Sequence, residues 1–148
     1  MDSLMRYISR IHRCAGTYRG SKLGDEGINN CQHIYIFHVC KNPGISQDQL
    51  AKQICVNKSN VTRQLSSLER NGFVTREPDP VDRRVLRVYP TEKATRIYPR
   101  VRTLMGEWNQ LLLEDFSEEE RAALISMLER VTAKAIAVAG RESGGKKE

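Results

Sequence analysis

The sequence predicts a mainly α-helical chain with one small β-hairpin, and three observations predict it. Apolar residues recur at helical spacing over most of the length, two capped helices follow one another across a few residues, and a single pair of strand-like runs interrupts the helices. The arrangement expected is a winged helix-turn-helix lobe flanked by N- and C-terminal dimerisation helices.

Between Leu4 and about Arg19, the residues Leu4, Tyr7, Ile8, Ile11 and Ala15 form an apolar stripe interleaved with Arg6, Arg10 and Arg13, an amphipathic first helix. Gly20 to Gly27 (GSKLGDEG) carries three glycines and reads as a loop. Asn30 to Lys41 reads as a second helix, stopped by Asn42, Pro43 and Gly44. In the run I-S-Q-D-Q-L, Ser46 and Gln49 have the spacing of a capping box, and Ile45 and Leu50 that of a hydrophobic staple, opening a helix from Gln47 to about Ile54. Val56, Asn57 and Val61 repeat the staple around an Asn cap, so a further helix runs from Lys58 to Asn71. Gly72 suits its left-handed end, with Phe73 packing back on Leu68.

The hairpin is expected from Val74 to Glu77 and Arg84 to Tyr89, around P-D-P-V-D-R. Beyond it Thr91 caps a long helix to about Glu114, expected to kink near Pro99, and Ser117 with Glu120 forms a second capping box. Leu124, Leu128, Val131, Ala135 and Val138 then make a seam for another helix. The expectation is one domain over residues 1–148, with the winged lobe over about 30–90 and dimerisation helices over about 3–19 and 91–139. The polar tail 141–148 (RESGGKKE) is expected to be disordered.

Charge narrows the partner. With 24 Lys and Arg against 18 Asp and Glu, the net charge of +6 favours a polyanion, either nucleic acid or an anionic membrane surface. No run of about 18 apolar residues is present and the N-terminus has no secretory h-region, so no membrane is expected as a partner. Cys14, Cys31, Cys40 and Cys55 are scattered, without C-x-x-C spacing, which fits a reducing cytoplasm. His12, His33 and His38 lack metal-ligand spacing, and no Gly-rich phosphate loop or nucleophile motif occurs. Neither a metal, a cofactor nor enzymatic activity is expected.

Placing Val61, Leu65 and Leu68 inward turns Ser59, Arg63, Ser66 and Arg70 outward, at about 100° per residue, with Asn60 and Thr62 beside them. Small hydroxyls with arginine and no carboxylate suit a helix approaching phosphates and base edges in a major groove. A polar face alone is equally what solvation produces. The capped helix before it and the basic hairpin after it favour DNA. At the hairpin tip, Arg83 and Arg84 are placed to enter a minor groove, and Asp79 or Asp82 to brace an arginine such as Arg76.

Pro43 to Ala51 (PGISQDQLA), Val56 to Val74 (VNKSNVTRQLSSLERNGFV), Asp79 to Val88 (DPVDRRVLRV) and Thr91 to Lys93 (TEK) resemble the MarR family of regulators, in order and spacing. Two positions depart from its pattern: Pro90-Thr91 stands where Leu-Thr is usual, and Ala94 where Gly often follows. The resemblance implies Arg84 of Asp82-Arg83-Arg84 as the minor-groove arginine, and a homodimer on an inverted-repeat operator. It also implies a repressor released by a small lipophilic or phenolic effector or by oxidation. The effector candidates are Tyr18, His33 and Tyr35, and the redox candidate is Cys14. The DNA-contacting set is Ser59, Asn60, Thr62, Arg63, Ser66, Arg83 and Arg84. The alternative is a winged helix serving as a protein-interaction or RNA-contacting module.

Overall fold

The computed structural model describes residues 3–144. Helix α1 (Leu4–Leu23) leads through a short 3-10 turn into α2 (His33–Lys41), strand β1 (Ile45–Ser46), α3 (Gln47–Ile54) and α4 (Lys58–Arg70). Strands β2 (Val74–Pro78) and β3 (Leu86–Pro90) follow, then α5 (Glu92–Leu113) and α6 (Glu118–Gly144). The strands form an antiparallel sheet in the order β1-β3-β2, with Ile45 opposite Val88 and Arg76 opposite Val88. The chain divides into two compact units, Met1–Trp108 and Asn109–Glu148.

The fold is the mainly helical winged helix expected, and the local signals around α3 and α4 hold atom by atom. Ser46 Oγ accepts from the Gln49 amide while Gln49 Oε1 accepts from the Ser46 amide, each at 3.1 Å. Asn57 Oδ1 accepts from the Asn60 amide at 2.7 Å. At the far end of α4, Gly72 has φ 77°. The Phe73 amide there donates to Leu68 O at 2.9 Å and the Gly72 amide to Glu69 O at 3.0 Å, a Schellman ending. Inside, Ile36, Leu50, Val61, Leu65, Leu68 and Val88 are fully buried in one core.

Four boundaries differ from expectation. The glycine-rich loop begins late: α1 runs on to Leu23, because Gly20 is not a breaker but a place of close approach, where an added Cβ would lie 3.0 Å from Asn30 Oδ1. Helix α2 starts at His33 rather than Asn30. Arg84 lies in the hairpin turn, not in β3. The expected tail is helical from Arg141 to Gly144, and its remainder, 145–148, lies outside the described residues.

The strand β1 was not foreseen, since two residues leave no periodicity to read. Helix α5 continues through Pro99. Pro90, the departure at the end of the wing, is accommodated as the last residue of β3, opposite Val74 and beyond the reach of β1.

Candidate nucleic-acid interface

Helix α4 presents Ser59, Thr62, Arg63 and Arg70 as exposed residues, with Asn60 and Ser66 half-buried beside them. Arg63 has no hydrogen-bond or ion-pair partner among the described residues, so its five donors remain for an incoming acceptor. Ser66 is already engaged, donating to Thr62 O at 2.7 Å and accepting from Arg76 Nη2 at 3.2 Å. The structure thus separates it from the open residues of the predicted set. Thr62 Oγ1 likewise turns back to Lys58 O at 3.0 Å.

In the wing, the Val85 amide donates to Asp82 O at 2.9 Å, making Arg83 and Arg84 the two corner residues of a turn. Asp82 forks onto Arg84, Oδ1 to Nε at 3.1 Å and Oδ2 to Nη2 at 3.2 Å, while the arginine side chain stays 90 % exposed. Those Arg84 hydrogen bonds lower the Asp82 pKa. Arg83 is exposed and has no partner among the described residues.

Asp79 folds the tip by accepting from the Val81 and Asp82 amides at 2.9 and 3.0 Å and from Arg87 Nε at 2.7 Å. Those bonds, the Asp82 amide foremost, bring its pKa from 3.8 down to about 2. Neither aspartate braces Arg76. That arginine is held by Glu69, whose Oε2 takes Nη2 at 2.7 Å and Nε at 3.2 Å, and it reaches Gln47 Oε1 at 3.3 Å. Arg76 therefore ties the wing to α4 and to the start of α3, a role invisible in sequence because its partner is seven residues away.

Thr91 and Lys93 lock the other end of the wing. Thr91 Oγ1 donates to Gly72 O at 2.6 Å, and Lys93 Nζ donates to Asn71 O at 2.8 Å while lying 4.3 Å from the Phe73 ring centroid. The carbonyls of Asn71 and Gly72, just past α4, are thereby satisfied from the first turn of α5 and the residue before it. Gln32, missed by sequence reading, is another such tie: 1 % exposed, it donates to Ser67 Oγ at 3.0 Å and accepts from the Asn29 amide at 3.2 Å.

Beneath α4 lies a cavity of about 510 Å³, walled by α1, the start of α2, the end of α3 and α4. His33 and Tyr35 line it together with Arg19, Cys31, Asn60 and Arg63. Tyr18 does not join them. Its ring instead meets Trp108 at 5.2 Å between centroids, and its hydroxyl approaches Glu107 Oε2 at 3.5 Å. Among the described residues no carboxylate lines the cavity, and Arg19 Nε is buried with no hydrogen-bond partner there. Burial, reinforced by Arg19, lowers the His33 pKa from 6.5 to about 4, against the pull of the Asn30 carbonyl 3.1 Å from Nδ1. His33 is thus a neutral wall at ordinary pH. Cys14 is exposed on α1, whereas the thiol at the cavity is that of Cys31. Burial pushes the Cys40 thiol up to about 11, which leaves it inert.

Among the described residues, no group of three or more His, Cys, Asp or Glu is placed to hold a metal ion. No helix there is long and apolar enough to cross a membrane.

A capped helix with an open arginine face, next to a wing whose tip carries two arginines, defines a winged-helix DNA-binding regulator. The profile of the MarR family matches residues 28–86. A solved structure of MarR is 32 % identical, with a TM-score of 0.79, over 95 % of this chain and 98 % of that one. The HTH-type transcriptional regulator YybA of Bacillus subtilis, itself uncharacterized, is 29 % identical over 88 % of this chain and 87 % of its own. A MarR-family regulator from Listeria monocytogenes, solved in complex with a 26-mer DNA, shares the fold with a TM-score of 0.90 at 24 % identity, covering all of this chain and 99 % of that one. The chain belongs to the MarR family and is a DNA-binding transcription regulator, not an enzyme.

Proposed function

We infer that the protein is a cytoplasmic homodimeric repressor that binds an inverted-repeat operator and is released by a small molecule. The observation that carries the DNA-contact part is the pairing of Arg63 on α4, without a partner among the described residues, with a wing turn whose Arg84 is steered by Asp82. In this reading Ser59, Asn60, Thr62 and Arg63 enter a major groove, and Arg84 with Arg83 reaches the flanking minor groove. Ser66 serves by holding Arg76. The Listeria relative bound to DNA supports the same use of the fold.

The homodimer rests on apolar surface that one chain leaves open: Leu4, Tyr7 and Ile11 on α1, and Leu128, Val131 and Val138 on α6. Release rests on the cavity. Its apolar side (Ile34, Ile54, Val56) and its cations (Arg19, Arg63) suit a small phenolic or lipophilic molecule bearing an acidic group. Cys14, exposed, offers oxidants a second route.

Footprinting on the DNA flanking its own gene tests the reading, repeated with phenols, aromatic acids and peroxide. Protection of two half-sites, lost on adding a ligand, is expected. Equal affinity for flanking and random duplex at moderate salt would sink it.

A further inference from the structure

Besides the Gln32–Ser67 bond, the recognition helix is held from below in its first turn by a contact that no sequence motif announces. Asn60 stands in the first turn of α4, where its amide is fixed by Asn57, and its side-chain Oδ1 accepts from the Tyr35 hydroxyl at 2.8 Å. Tyr35 is 2 % exposed, anchored in α2 as part of the core. Burial and Cys31 raise its pKa, outweighing Arg63, so the phenol keeps its proton and acts as the donor.

We propose that Tyr35 is a positioning residue that sets the operator's base preference, by fixing which hydrogen-bonding edge Asn60 offers to the major groove. The inference rests on the DNA-binding reading above. An asparagine pairs with adenine by using both amide atoms, Oδ1 accepting from N6 and Nδ2 donating to N7. Here Oδ1 is taken from inside the protein, and Nδ2 has no partner among the described residues. The amide oxygen keeps a second lone pair, but the bond to buried Tyr35 holds it turned inward, so Asn60 offers the groove its Nδ2 donor and selects an acceptor: N7 or O6 of guanine, N7 of adenine, or O4 of thymine. It does not make the two-point adenine contact. Removing the phenolic oxygen frees the amide to turn and restores that contact.

Selection from a randomised duplex pool tests this with the full chain and with Tyr35→Phe, Asn60→Ala and Asn60→Asp. Asn60→Ala is expected to relax one position in each half-site. Tyr35→Phe is expected to favour adenine at that same position, roughly tenfold, the discrimination typical of a two-point contact. Its affinity for random duplex and its salt dependence stay as in the wild type, which a merely structural defect would not leave intact. Asn60→Asp keeps the bond from Tyr35 but presents an acceptor, so it moves the preference to cytosine and reports even if Tyr35→Phe fails to fold. If Tyr35→Phe selects the wild-type site unchanged, or changes positions that Asn60→Ala leaves alone, the proposal is overturned while the regulator reading stands. Failure of the wild type to enrich any sequence removes both.

Discussion

Arg63 and His33 face one cavity but answer to different physics. Arg63 is exposed and has no hydrogen-bond or ion-pair partner among the described residues, so the proposed function assigns it contacts outside the chain. Arg63→Ala is expected to cost about 1–3 kcal/mol of site-specific binding and relax one operator position, while leaving the melting temperature within error. Titrations of matched and mismatched duplexes would check this. Arg84→Ala is expected to weaken binding without changing major-groove preference, since a minor-groove arginine reads groove width. His33 acts on stability. Its folded pKa of about 4 lies below the 6.5 of the free side chain, so the unfolded chain takes up the proton first. The contribution is complete above pH 6.5 and is lost as pH falls toward 4, up to about 3 kcal/mol in all. Urea unfolding at pH 7 and pH 5 should show about 2 kcal/mol of that loss in the wild type and a much smaller change in His33→Phe, whose ring does not titrate.

At the scale of elements, the parts legible in the sequence are those whose partners are close along the chain. The capping box at Ser46, the Asn57 cap and the Gly72 ending each join atoms within five residues, and each forms as read. Features that depend on distant neighbours were not legible. Gly20 stays helical against Asn30, and Tyr18 packs its ring on Trp108, neighbours too far along the chain for local sequence to show. Glu69 and Arg76 lie on different elements, and nothing local announces that they pair. Two outcomes follow from these joints. Gly72→Ala meets open space, so its cost is the positive φ alone, and about 1 kcal/mol of stability is expected to go. Glu69→Ala removes a partly exposed pair and is expected to cost at most about 1 kcal/mol in chemical denaturation. It also releases the Arg76 amide, so hydrogen exchange should speed up at that position while the α4 interior stays protected.

For the whole molecule, the decisive quantity is apolar surface that the single chain does not cover. No described residue of α6 is buried, and Ile125, Met127, Leu128, Val131, Ile136 and Val138 are all exposed. In the proposed homodimer this 27-residue helix, with its uncovered apolar side chains, would be the interface, since a two-fold arrangement covers the same patch on both chains. As proposed, the two α4 helices of such a dimer would meet successive major grooves about 34 Å apart, which would make association and operator binding one equilibrium. Val131→Glu tests the coupling. Because Val131 lies outside the core of the single chain, a carboxylate there costs the monomer little, and its effect falls on association. The expected outcome in sedimentation is a shift from dimer to monomer with unchanged helical circular dichroism. Operator affinity should fall toward the level of random duplex, and the dependence of log affinity on log salt should become about half as steep, as one lobe's phosphate contacts are lost. A variant that sediments as a monomer yet protects both half-sites at wild-type concentration would show that each lobe binds alone and that α6 serves another partner.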